Sequence, residues 1–302
     1  MLFPFGLRVN PTDAPESKKS ESEPPEEAKP SNPFGRKTVT RPESGTRLSA
    51  LEIHENIRGP AVEELERPAS SLLFSSLAAG MLIGFSFLAQ AFVSHYAPEP
   101  YKHPLASMAY PIGFMFVIMG RSELFTENTL EPVIPLLHKR DAATLKKLLR
   151  MWGLLIIGNL IGALIIGWIV GATTLMESSL QPSMQEVAKQ STEGGFGTVF
   201  FAAIFGGWLI ALLAWLLAST IDSAAQLFLI WVTTVPISAF HFRHSIAGSV
   251  EAFYRAVTGS AGWGEMLGGF IVPALIGNAI GGVLLVALFN YAQVAEEHES
   301  AK

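Results

Sequence analysis

From residue 72 onward the chain alternates between long apolar runs and short polar connections. A bilayer core about 30 Å thick calls for about 20 apolar residues in a spanning helix. Six runs reach that length, at 72–94, 105–130, 151–173, 198–218, 224–254 and 266–292. The second and fifth are interrupted by polar residues, and the other four are plainly apolar. A soluble helical core rarely offers so many long apolar runs in succession, so the pattern predicts an all-α membrane protein with six transmembrane helices.

The basic residues orient it. The connection between the second and third runs carries Lys139, Arg140, Lys146, Lys147 and Arg150, whereas that between the third and fourth carries only Lys189. Arg58 and Arg67 precede the first run. Basic loops stay on the cytoplasmic side. Six crossings then leave both termini in the cytoplasm, as expected of a multi-pass protein of the bacterial inner (plasma) membrane.

The polar motifs repeat. Gly158-Asn159-Leu-Ile-Gly162 in the third run returns as Gly277-Asn278-Ala-Ile-Gly281 in the sixth, an offset of 119 residues (278 less 159). The same offset carries Thr126 of the interrupted second run onto Ser245 of the interrupted fifth. Each half therefore has a plain helix, a broken helix and a Gly-Asn helix. Three crossings per half is an odd number, so the second half enters from the opposite side. This predicts two inverted three-helix repeats with broken second and fifth helices and a site near the midplane. Asn159 and Asn278 suit two roles equally, pore lining or hydrogen bonding between helices.

Ionisable groups at membrane depth are costly and mark candidate sites. Arg121 and Glu123 flank the second break and are expected to pair with each other or to cap a half-helix. His241, Arg243 and His244 cluster at the fifth. A buried His beside a solute path can exchange a proton with it, and half-helix ends favour an anion. Phe114, Leu124, Phe125 and Ile237 are candidate gate residues. A bare anion crossing such apolar gates pays heavily for lost hydration, a cost that protonation near His244 would lower.

Composition sharpens the boundaries. Residues 1–65 are rich in Pro, Glu, Ser and Lys and form a hydrophilic, mostly disordered cytoplasmic extension. Residues 66–292 form the six-span transport domain, and 293–302 a cytoplasmic tail. The net charge of −5 lies mostly in the tails and gives no reason to expect nucleic acid. There is no cysteine, so thiolate metal sites and cysteine nucleophiles are excluded. No nucleotide loop or zinc-spaced His/Glu pair occurs, so neither an enzyme nor a metal or other cofactor is expected.

At these motifs the chain resembles the formate/nitrite transporter family. The matching elements are Glu123-Leu-Phe-Thr126 with Asn128, Gly158-Asn-Leu-Ile-Gly-Ala163, His244-Ser-Ile-Ala247 and Gly277-Asn-Ala-Ile-Gly-Gly282, across residues 66–292. Ile53-His-Glu-Asn-Ile-Arg58 and Glu64-Leu-Glu-Arg67 resemble its YfdC-like subgroup. The resemblance implies an aquaporin-like fold, a homopentamer embedded in lipid with one pore per protomer, and passage of small monovalent anions such as formate, nitrite or hydrosulfide. It implies that His244 is the central pore histidine, that Thr126 is its hydrogen-bonding partner and that Leu124 and Phe125 form a constriction. Asn278 would be a conduit-side asparagine. From their own places at the breaks and in the Gly-Asn motif, Arg243, Ser245 and Asn159 complete the candidate pathway with Thr126.

The chain departs from well-known formate channels at four positions. Arg243 stands where they have Glu, Gly248 and Gly207 where they have Asn, and Ile237 where they have an aromatic gate. Loss of polar and bulky groups implies a wider pore or a changed selectivity. The expected function is a channel or transporter for small anions or their weak acids, with proton exchange at the central histidine. The alternatives are an aquaporin-like channel for a small neutral solute and a non-transporting membrane scaffold.

Overall fold

In the computed structural model the described residues are 47–293, so the expectations for 1–46 and 294–302 fall outside them. All the regular elements among these residues are helical. The last part of the hydrophilic extension is ordered as helix α1 (Ala50–Glu64). Ser49 starts it with a capping box, its side chain accepting from the Glu52 backbone while the Glu52 carboxylate returns to the Ser49 N–H.

Helices α2 (Ala69–Leu82) and α3 (Gly84–Tyr96) continue each other as one apolar run of 28 residues. The second predicted span is broken as expected. Helices α4 (Lys102–Ala109) and α5 (Pro111–Met119) lead to a non-helical stretch, a single turn at Glu127–Thr129 and then α6 (Val133–Lys139). Helix α7 (Ala142–Ala172) follows, capped by Asp141. A surface helix α8 (Gln181–Thr192), unforeseen in the sequence reading, precedes the long α9 (Phe196–Leu217). The fifth predicted span divides into α10 (Ser223–Ala239) and α11 (Ser245–Val257). Helix α12 (Val272–Gly282) is the centre of a last apolar run, Glu265–Gln293. Among the described residues four helical runs are thus long and apolar enough to cross a membrane, α7 and α9 being two of them. The chain is a multi-pass helical membrane protein.

Both breaks end the same way. Gly120 closes α5 and Arg121 then turns left-handed at φ 56°, while Phe240 closes α10 and His241 turns left-handed at φ 54°. A left-handed residue just past the cap is a common helix stop, and for a residue with a Cβ it costs roughly 1–2 kcal/mol.

Side-chain contacts sort the helix ends onto two faces. On one, His54 of α1 meets His138 at the end of α6 and Tyr291 of the last run, and Asn56 donates to the Ala218 carbonyl beyond α9. On the other, Lys102 meets Glu186 of α8, and Arg255 of α11 donates to Thr192. The interior between the faces is built by α2 against α7 and α9 against α12, each pair meeting through a Gly-Asn motif.

Candidate functional site

The broken helices meet through one buried hydrogen bond. Thr126 Oγ1 and His244 Nε2 are 2.7 Å apart, with both residues almost fully enclosed. The histidine's other nitrogen is committed as well. His244 is the N-cap of α11, and its Nδ1 accepts the Ala247 backbone N–H at 3.0 Å. A backbone N–H only donates, so Nδ1 carries no proton in this arrangement. The neutral ring therefore bears its hydrogen on Nε2 and donates it to Thr126 Oγ1. That leaves the Thr126 hydroxyl free to donate in turn. Phe114 packs edge-on against the imidazole, with centroids 4.9 Å apart.

Asn159 and Asn278 hold the two breaks by corresponding contacts. Asn159 Oδ1 accepts from Phe125 N at 2.8 Å, and its amide donates to the carbonyls of Ser76 and Glu123. Asn278 Oδ1 accepts from Ser245 N at 2.7 Å, and its amide donates to the carbonyls of Ala203 and Arg243. These contacts match Phe125 to Ser245 and Glu123 to Arg243, an offset one residue longer than the Gly-Asn motifs give. Thr126 thus corresponds to Ile246 rather than to Ser245. Every polar atom of each asparagine side chain is spent on backbone, which is the inter-helix role of the two that the sequence left open.

Arg121 and Glu123 do not pair. Glu123 accepts instead from Arg67 at 2.6 Å and from Asn128 at 3.0 Å, tying the break to the chain just after α1. Leu124 and Phe125 are buried beside it, Phe125 edge-on to Trp152.

A cavity of about 190 Å³ opens toward the face that carries α8 and reaches His244. Arg243 and Ile237 also line it, together with residues that sequence reasoning passed over, chiefly Tyr110, Gln90, Ser238 and Glu251. Thr126, Ser245, both asparagines, Phe114, Leu124 and Phe125 lie outside its lining. Ser238 donates to Gln90 Oε1 at 2.7 Å, and His241 stacks on His103 with centroids 4.6 Å apart. Glu251 could have been found by counting, since it lies seven residues after His244 on the same helical face.

The glycine departures have a packing reason. A Cβ on Gly207 would run into the backbone of Asn278, so this position seats α12 against α9 instead of facing a conduit. A Cβ on Gly248 would meet the ring of Phe270, which already fills that space. The inference of a wider pore from missing side chains does not hold at either place. Among the described residues no cluster of three or more His, Asp or Glu side chains has metal-binding geometry.

The chain is similar to known proteins in sequence and in fold. A family model described as formate/nitrite transporter matches residues 51–292. The inner membrane protein YfdC of Escherichia coli (strain K12) is 33% identical over 249 residues, covering 82% of this chain and 80% of that protein. The formate channel BtFdhC of Bacillus thuringiensis is 25% identical over 255 residues, covering 83% and 97%. A solved pentameric formate channel with formate bound superposes with a TM-score of 0.63 at 21% identity, covering 74% of this chain and 97% of that one.

Proposed function

Since the chain belongs to the formate/nitrite transporter family, we propose that it carries small monovalent anions, formate among them, or their conjugate acids across the inner membrane. The observation that carries this reading is the enclosed Thr126–His244 hydrogen bond joining two broken helices beside a cavity. A solute at the end of the cavity meets His244, and behind it the Thr126 hydroxyl keeps a proton to donate in a site without bulk water, where such a bond is worth more than in solution. Leu124 and Phe125 close the path beyond it and open for passage.

The reading extends to architecture. The four uninterrupted runs and the two broken ones make six crossings, arranged as two inverted three-helix repeats. The matched left-handed stops and matched asparagine contacts of the two halves support this. The α1 face is cytoplasmic because the basic residues of the loop after α6 lie there, which places both termini inside. The exposed apolar residues of α7 and α9, such as Ile157, Trp168, Phe201 and Trp208, face lipid or neighbouring protomers of a homopentamer.

Flux in proteoliposomes tests the function. Formate and nitrite should enter and compete with each other, while urea and glycerol should neither enter nor compete. Flux of the neutral solutes without the anions would overturn the reading.

A further inference from the structure

Helix α7 is longer than the apolar part of its span. It has 31 residues, which at about 1.5 Å each reach about 46 Å. A hydrocarbon core takes about 30 Å, and core plus both headgroup layers about 40–45 Å. The apolar run begins at 151, so residues 142–150 stand at headgroup depth on the face that carries α1.

Their side chains sort round the helix. Leu145 and Leu149, four residues apart and 42% and 57% exposed, make an apolar stripe. Lys146 and Arg150, also four apart and exposed, make the next stripe. Lys147 lies beyond it and pairs with Glu66. Lys139 and Arg140 at the end of α6 are exposed too. Arg140 turns left-handed at φ 50°, so Asp141 caps α7 at once and the two helix ends form a tight corner. The cations share one neighbourhood. The Lys147 hydrogen bond first, then the charges of Lys147, Lys139 and Arg150, hold the Glu66 carboxyl below its usual range.

The nearby carboxylates are already engaged. Glu66 holds Lys147, and both oxygens of Asp141 accept from Thr144. Among the described residues no ion pair takes up Lys139, Arg140, Lys146 or Arg150. Arg150 donates once to the Arg67 carbonyl and Arg140 once to the Leu137 carbonyl, which leaves most of each guanidinium's five donors open.

Unpaired cations beside an apolar stripe at headgroup depth fit a partner that is anionic at one end and apolar at the other. We propose that the α6–α7 corner is a binding site for an anionic phospholipid of the cytoplasmic leaflet. Lys146 and Arg150 hold its phosphate, with Lys139 and Arg140 alongside, and its glycerol and first methylenes lie on Leu145 and Leu149. The site goes beyond the transport reading and takes from it only the placement of the α1 face in the cytoplasm.

The test is native mass spectrometry of the full chain in a non-ionic detergent, titrated with phosphatidylglycerol or with phosphatidylcholine of the same acyl chains. Wild type should bind phosphatidylglycerol more than about tenfold tighter. A basic residue near an anionic headgroup is worth about 1 kcal/mol, or about fivefold in affinity. Lys146→Gln, a residue that makes no contact in the structure, should lose about that factor, and Lys146→Gln/Arg150→Gln about the square of it. Lys189→Gln on α8, at the opposite face, should bind as wild type does. Equal binding of the two lipids, undiminished binding in the double variant or a like loss in Lys189→Gln would overturn the site. So would displacement of the lipid by inorganic phosphate, which would give the corner to a free anion. Leu145→Ser/Leu149→Ser should weaken lipid binding with the assembly mass unchanged. Dissociation of the assembly with lipid still bound would make the apolar stripe a subunit contact and overturn the proposal. Binding in micelles does not depend on orientation, whereas labelling of Ala50→Cys by an impermeant maleimide in sealed right-side-out vesicles reads the orientation separately. Labelling there would overturn the cytoplasmic placement.

Discussion

Asn278 is a small residue on which much of the second break depends. Replacing it by Ala removes the acceptor for Ser245 N at 2.7 Å and the donors to the Ala203 and Arg243 carbonyls at 2.6 and 2.9 Å. The side chain is fully enclosed, so no solvent replaces these partners. An intramolecular hydrogen bond contributes about 1 kcal/mol net. Between membrane helices the average is nearer 0.6 kcal/mol, so three bonds set a floor near 2 kcal/mol. Unpaired backbone groups and the small void raise the expected loss to about 5 kcal/mol at most. The assay is unfolding by SDS in mixed micelles, followed by circular dichroism. Asn159→Ala should lose a similar amount, because its three contacts correspond one for one. Gly153→Ala on α7 is the control: a Cβ there meets nothing within 4 Å, so the change should stay within about 0.5 kcal/mol. Losses below about 0.5 kcal/mol for both asparagines would refute the view that they hold the breaks.

Three further outcomes are expected. Gly207→Ala forces a methyl against the Asn278 backbone and should cost about 1–3 kcal/mol by overpacking in the same SDS titration, whereas a change near zero would show that α9 and α12 can separate freely. Docking of α1 should weaken with acid. His54 Nε2 lies 2.8 Å from His138 Nε2, and burial first, then the neighbouring His138, push the His54 pKa from 6.5 down to about 4. A depressed histidine stabilises the docked form fully above pH 6.5 and loses that contribution as pH falls toward 4. A spin label on an Ala50→Cys variant, free of background because the chain has no cysteine, should gain mobility over that window. Mobility that is constant with pH would contradict this. Arg67→Ala removes the cation from Glu123 and should destabilise by about 2–4 kcal/mol, less than for a wholly buried pair because a quarter of the Arg67 side chain is exposed. An equal loss in Glu123→Gln would point to the pair itself rather than to a stranded carboxylate.

Much of this architecture can be read from the chain, and the exceptions have physical reasons. The apolar runs at 198–218 and 266–292 fall within a few residues of α9 and Glu265–Gln293, since hydropathy and helix extent coincide there. Helix α7 starts at Ala142, nine residues before the apolar run at 151, because Leu145, Lys146, Lys147 and Leu148 are good helix formers that hydropathy discounts. Helix α1 lies inside a segment whose overall composition predicts disorder, although Ser49 and Glu52 spell a capping box. The breaks were visible as polar interruptions, but their one-residue change of offset was not. That offset depends on which backbone groups the asparagines grip, which is a tertiary matter. His244, Arg243 and Ile237 do meet at one cavity. Glu251 lies two turns past His244 in α11, Gln90 is an isolated amide in the apolar α3 and Tyr110 stands at the junction of α4 and α5, so no local motif marks any of the three.

The central claim is that a weak acid crosses at His244, and the most direct test is formate flux across a pH range in proteoliposomes of wild type and His244→Asn. Asparagine can still cap α11 and still face Thr126, so the fold is kept while the titratable ring is lost. The account predicts wild-type flux that rises as pH falls and a variant whose flux has lost that dependence. An unchanged pH profile in His244→Asn would contradict it.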